Sequence, residues 1–148
     1  MYVRSVKPPV WARLREDGEE AIAGAISELV RLGPKVSVYE VETEDQLELV
    51  AVALIANLSR QHFRYLEIEP ADLEGISIID SPGVTPLPDA NRLHRDLDLG
   101  DERARLLVER LKRRRVSIQQ IREGHLPAIA RRLAGAGQPI PSDSWLLE

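Results

Sequence analysis

Lys35-Val36-Ser37-Val38-Tyr39-Glu40-Val41 and Phe63-Arg64-Tyr65-Leu66-Glu67-Ile68 bracket the stretch whose reading decides the fold. The first run is β-branched and alternates, with Val36 and Val38 on one side and Tyr39 and Val41 on the other, so it reads as a strand inside a sheet. The second sets Phe63 and Tyr65 against Leu66 and Ile68, and Glu69-Pro70 ends it. Between them Thr43-Glu44-Asp45-Gln46 has capping-box spacing at the head of a helix over about 44–59. That helix is apolar on nearly every side from Leu47 to Leu58 and must be largely buried. Strand, buried helix and strand in this order predict a right-handed crossover between two parallel, neighbouring strands.

Downstream, Ile76-Ser77-Ile78-Ile79 reads as a third, buried strand that breaks into Asp80-Ser81-Pro82-Gly83. Pro82 suits the first corner of a type II turn and Gly83 the positive φ of the second. Were this strand parallel too, Asp80 would lie at its carboxyl end, where open α/β sheets bind ligands. From Asp89 as N-cap, a short helix is expected to carry Leu93 and Leu97 on one side and Arg92, Arg95 and Asp96 on the other.

Upstream, Asp17 and Glu20 have capping-box spacing, and Ile22, Ala25, Ile26, Leu29 and Val30 repeat on one helical face until Gly33-Pro34. Residues 1–15 form an extended arm, held so by Lys7-Pro8-Pro9, with Trp11 and Leu14 tucked against the body. The predicted fold is α/β (or α+β): a small three-stranded, at least partly parallel sheet with a buried crossover helix, an N-terminal helix and a C-terminal helical segment. The 148 residues are expected to make one domain. Its parts are the arm (1–15), an acidic core (16–100), a basic helical segment (101–135) and an extended tail (136–148).

Charge divides the chain more sharply than its net -4 suggests. Up to Gly100, ten basic residues stand against eighteen acids; from Asp101, ten stand against six. An acidic body with a basic C-terminal region can pair with itself, with a second copy or with an anionic partner. With no cysteine there is no disulfide, thiolate metal site or cysteine nucleophile, which fits a reducing, cytoplasmic compartment. The longest apolar run is far shorter than the roughly 20 residues of a bilayer span, and residues 1–9 lack the apolar core of a secretory signal. Heavy use of Arg, Ala and Leu suggests a bacterial genome rich in GC.

Several chemistries lack their signature. There is no Gly-x-x-x-x-Gly-Lys-Ser/Thr phosphate loop, no Gly-x-Gly-x-x-Gly dinucleotide fingerprint and no Gly-x-Ser-x-Gly nucleophile elbow. Asp80-Ser81-Pro82-Gly83 matches only four residues of a nucleotide-hydrolase pattern and reads as a turn. Asp80, Asp89, His94, Asp96 and Asp98 are the densest set of general-base or metal-ligating groups; on a helix His94 and Asp98 would face the same way. If the chain were an enzyme, Asp80, His94 and Asp96 would carry its chemistry. Lys112-Arg113-Arg114-Arg115, followed by helical segments over 118–123 and 127–133 with Gly124 between, outlines a helix-turn-helix with Arg131 and Arg132 in its second helix. The same arginines would equally answer the acidic patch from Glu40 to Glu48.

No cofactor is called for. The expected function is a non-catalytic protein-binding domain, either a small subunit or adaptor of a bacterial multi-protein assembly or a homo-oligomer, docking through Trp145, Leu146 and Leu147. The alternatives are a nucleic-acid-binding regulator using Lys112 to Arg115, Arg131 and Arg132, and an enzyme with an Asp80/His94 pocket.

Overall fold

The computed structural model describes residues 1–16 and 18–148. These residues form six strands: β1 (Tyr2–Ser5), β2 (Lys35–Glu40), β3 (Phe63–Ile68), β4 (Ser77–Asp80), β5 (His94–Asp98) and β6 (Gln119–Ile121). They make one sheet in the order β4-β5-β2-β1-β3-β6, and every neighbouring pair is antiparallel. The helices are α1 (Pro8–Ala12), α2 (Glu19–Leu29), α3 (Glu44–Ile55), α4 (Pro88–Asn91), α5 (Asp101–Arg113) and α6 (Leu126–Gly135).

This α+β architecture overturns the expected three-stranded, partly parallel sheet. The decisive element is β1, which belongs to the segment expected to be an arm. Tyr2 pairs with Glu40 on one side and with Ile68 on the other. Because β2 and β3 are both antiparallel to β1, they do run in the same direction, but β1 lies between them. The crossover through α3 therefore steps over a strand instead of joining neighbours.

Strand side chains alternate between the two faces, so each face of the sheet carries its own apolar layer. Val3, Tyr39, Phe63 and Tyr65 meet α3, α4, α6 and a turn at Trp145–Leu147. Val36, Val38, Leu66, Ile68 and Leu97 meet α1, α2 and α5. Burying a side chain such as Leu66 or Ile68 contributes about 1.5–3 kcal/mol, and both are fully enclosed. The α5 stripe of Ala104, Leu107, Val108 and Leu111 recurs at helical spacing and is wholly buried. At the head of α3 the capping box forms: Gln46 N–H donates to Thr43 Oγ1 at 3.2 Å, and Thr43 N–H donates to Gln46 Oε1 at 3.3 Å. The Asp17 cap expected for α2 lies outside the described residues.

Three local expectations are corrected here. Residues 94–98, expected as helix, are β5, and the helical segment before them, α4, is only four residues long. Residues 119–121 are β6, paired with β3, so 118–123 is not the first helix of a helix-turn-helix. The third strand is antiparallel and, far from being buried, has all four of its residues exposed at the sheet's edge. That sheet contains no parallel pair at whose carboxyl ends a ligand crevice would open.

Candidate functional site

The ladder between β2 and β5 establishes which backbone groups point where. Glu40 N–H donates to Leu93 O, and Leu99 N–H donates to Pro34 O. Bonded and non-bonded pairs alternate in an antiparallel ladder. Counting inward, Val38/Arg95 and Val36/Leu97 are the bonded pairs, and His94, Asp96 and Asp98 turn their backbone groups toward β4. Ile79/Asp96 and Ser77/Asp98 are then the bonded pairs between β4 and β5. The backbone N–H and C=O groups of Ile78 and Asp80 point away from the sheet, to an edge no other described strand covers.

Asp80 and His94 part company for the same reason. Asp80 lies opposite Arg95, so their side chains share the α2/α5 face, where Asp80 Oδ1 sits 2.8 Å from Arg95 Nε. Glu40 reaches the same guanidinium at 3.2 Å. His94, one residue before Arg95, turns to the opposite face. Its Nδ1 lies 2.7 Å from the Ser81 carbonyl. A carbonyl only accepts, so Nδ1 is the donor of this bond. Nε2 is 3.8 Å from Asp96 Oδ1, too far for a hydrogen bond, and the ring stands edge-on to Tyr39 with centroids 5.3 Å apart. His94 thus pins the segment after β4 to the start of β5. Among the described residues no group of three His, Asp or Glu side chains is placed to hold a metal ion.

That segment is stiff. Asn91 Oδ1 accepts from Thr85 N at 2.8 Å and Thr85 Oγ1 at 2.7 Å, while Asn91 Nδ2 donates to Thr85 O at 2.9 Å. Gly83 does not have the positive φ expected of it. What it supplies is room: a Cβ there would stand 3.0 Å from Asn91 Oδ1 and 3.2 Å from His94 Cβ. The loop so held carries Val84, 98% exposed, at the mouth of a cleft.

Beneath the loop lies an open cleft of about 540 Å³, lined by Ser5, Ser37, Tyr39, Leu54, Asn57 and His94. It opens where β1 and β2 separate after Val3/Tyr39. There the Ser37 carbonyl accepts from Arg4 Nη1 at 3.1 Å instead of from a strand. Glu28 of α2 answers the other end of that guanidinium at 3.2 Å and accepts from Trp11 Nε1 at 3.0 Å. Burial pushes the Tyr39 phenol above its ordinary value of 10, so at neutral pH it is a hydrogen-bonding group without charge. Of Asp80, His94 and Asp96, only His94 lines this cleft.

The basic segment is dispersed by the fold. Arg114 donates to Asp72, a buried carboxylate, at 2.7 and 3.2 Å. Lys112 Nζ donates to the carbonyls of Leu14 and Glu16 at 2.9 and 2.6 Å. Arg132, on the other face of the sheet, meets Glu48 at 2.9 Å and Asp45 at 3.8 Å, answering the acidic patch. Arg113, Arg115 and Arg131 are exposed. Arg115 ends α5 in a Schellman motif, with its own N–H on Lys112 O and that of Val116 on Leu111 O, and has φ 56 at a position that favours glycine.

Near the C-terminus, Trp145 and Leu146 are buried in the same layer as α3 and α6, and Leu147 is partly buried beside them. Ser144 Oγ accepts from Leu146 N at 3.3 Å, and the Arg60 guanidinium lies 5.4 Å from the Trp145 ring centroid. These apolar surfaces are occupied within the chain. Of the exposed apolar side chains, Leu32, Leu58, Leu106 and Val84 lie on helices or loops, while Ile78, 41% exposed, and Ile79, 37%, sit next to each other on β4. Compared with protein-family models, curated proteins and solved structures, the chain matches none.

Proposed function

We propose that this chain is a non-catalytic protein-binding domain that takes up an extended segment of a partner along β4. The observation that supports this reading is the free edge itself: outward backbone groups at Ile78 and Asp80 and an isoleucine exposed on each face of the strand. Strand addition uses these features together, since main-chain hydrogen bonds supply affinity and side chains on either face supply specificity. Edges are blunted by shortness, charge, proline or a bulge; Ser77-Ile78-Ile79-Asp80 is short and ends in one carboxylate, but has no lysine or proline within it.

Proline at residue 78 tests the reading. The Ile78 N–H makes no bond to β5, so Ile78→Pro removes an outward donor and sets a ring on the edge without breaking the internal ladder. Wild-type protein recovered from the cells that make it is expected to elute as a complex larger than its own 16.6 kDa. The variant is expected to elute at monomer mass with unchanged far-ultraviolet circular dichroism. A variant that kept the complex would refute docking along β4.

A further inference from the structure

We infer that the segment β4 accepts is β4 of a second copy, joined about a two-fold axis with Ile79 opposite Ile79. This rests on the strand-addition reading and names its occupant. The outward groups of the edge belong to Ile78 and Asp80, which are placed symmetrically about Ile79. Laid antiparallel in that register, Ile78 of each copy exchanges both backbone bonds with Asp80 of the other. Four N–H···O bonds form, and every outward group within β4 is used. The ladder stops cleanly on both sides, because the Ile76 N–H is already given to Leu73 O and Pro82 has no N–H to give.

Other symmetric registers fit worse. Centring on Ser77 or Ile78 calls on the Ile76 N–H, which is occupied. Centring on Asp80 sets two carboxylates opposite each other and turns Ile78 toward Pro82. A slip by one residue points side chains at the wrong faces. With Ile79 at the centre, each Asp80 faces an isoleucine while its charge is met by Arg95 of its own copy at 2.8 Å. The two Ile79 side chains form a close non-bonded pair, with Cα atoms about 4.5 Å apart, on the face that carries His94 and Asp96. The contact is isologous, so it closes as a dimer and buries the exposed edge of β4 in both copies. An interface built from two four-residue strands is small, and the dimer is accordingly weak and dependent on concentration.

The chain has no cysteine, so one introduced thiol reports the register without interference. Ile79→Cys places two sulfurs across the axis at a spacing a disulfide accepts, while thiols at residue 78 stand beyond the Cα limit of about 7 Å. Under mild oxidation Ile79→Cys is expected to run at twice monomer mass within minutes and Ile78→Cys to remain single. In parallel, the amides of Ile78 and Asp80 in the unmodified chain are expected to gain exchange protection as concentration rises about a hundredfold, with those of Ser77 and Ile79 unchanged. Equal cross-linking of both variants, or a dimer that leaves the Ile78 and Asp80 amides unprotected, overturns the register. A chain that stays monomeric with those two amides open refutes self-pairing and leaves strand addition by another protein standing. Protection of the same amides in the monomer at every dilution removes both.

Discussion

Two four-residue strands in this molecule have exchanged the places their composition suggests. Ser77-Ile78-Ile79-Asp80 carries two isoleucines and lies exposed at the margin of the sheet; Tyr2-Val3-Arg4-Ser5 carries an arginine and lies at its middle. The difference lies in the neighbours. β1 is flanked by β2 and β3 and covered by α3 on one face and α2 on the other, and Arg4 is tolerated there because Glu28 and the Ser37 carbonyl meet its guanidinium. β4 has one neighbour. A strand's burial is thus set by what pairs with it and packs over it, and its own hydrophobicity is a weak guide.

Hydrogen exchange measures the contrast most directly. In dilute solution the Val3 and Arg4 amides, each bonded within the central ladder, are expected to exchange only on global unfolding, while those of Ile78 and Asp80 exchange at nearly the rate of open chain. Global stabilities of about 5 kcal/mol or more make this a difference of at least roughly 1,000-fold. Comparable rates in the two strands would mean that β1 is not central. Carboxylate substitution gives the next largest effect. Val3 has no exposed surface, so Val3→Asp buries an unpaired charge and is expected to cost about 4 kcal/mol in denaturant titration. Ile79→Asp should cost well under half as much. Smaller again is Glu28→Ala, which leaves Arg4 and Trp11 Nε1 without their shared acceptor; about 2 kcal/mol is expected, with Glu28→Gln recovering part of it.

These contrasts also explain what could be read from the chain beforehand. The α3 capping box, the two-sided strands β2 and β3 and the stripe of α5 are local patterns, complete within a dozen residues, and they were legible. β1 was not, because four residues followed by Lys7-Pro8-Pro9 look like an arm until the strands around residues 39 and 66 are folded against them. β5, His94-Arg95-Asp96-Leu97-Asp98, has one apolar residue and so shows no alternation to read. β6, Gln119-Gln120-Ile121, is held largely by backbone pairing to β3, which leaves little mark on side-chain pattern. For the candidate site, the sequence sets Asp80 and Gly83 at a strand end and His94 on a helix beside Asp98, whereas His94 begins β5 and Gly83 lacks the positive φ of the expected turn. Alternation across the sheet separates Asp80 from His94, and Gly83 answers a steric need created by Asn91, eight residues on. The exposure of Ile78 and Ile79 follows from strand order, which no local pattern encodes.

The smallest effect sharpens the comparison from the other side. Arg4 and Arg95 both sit on strands with a neighbour on each side and both meet carboxylates, yet Glu28, the partner of Arg4, is sheltered while Asp80 stands on the uncovered edge strand. Asp80 Oδ1 lies 2.8 Å from Arg95 Nε, a distance that in a buried pair would make its removal costly. Asp80 is 90% exposed, however, so water replaces whatever Arg95 loses, and Glu40 remains 3.2 Å from the same guanidinium. Asp80→Ala is therefore expected to shift the unfolding free energy by no more than about 0.5 kcal/mol, the range of exposed ion pairs. The same change in Glu28 costs several times more. Equal costs for the two would mean that the edge is covered in solution, and the ratio between them measures how much the centre of this sheet is sheltered and its margin is not.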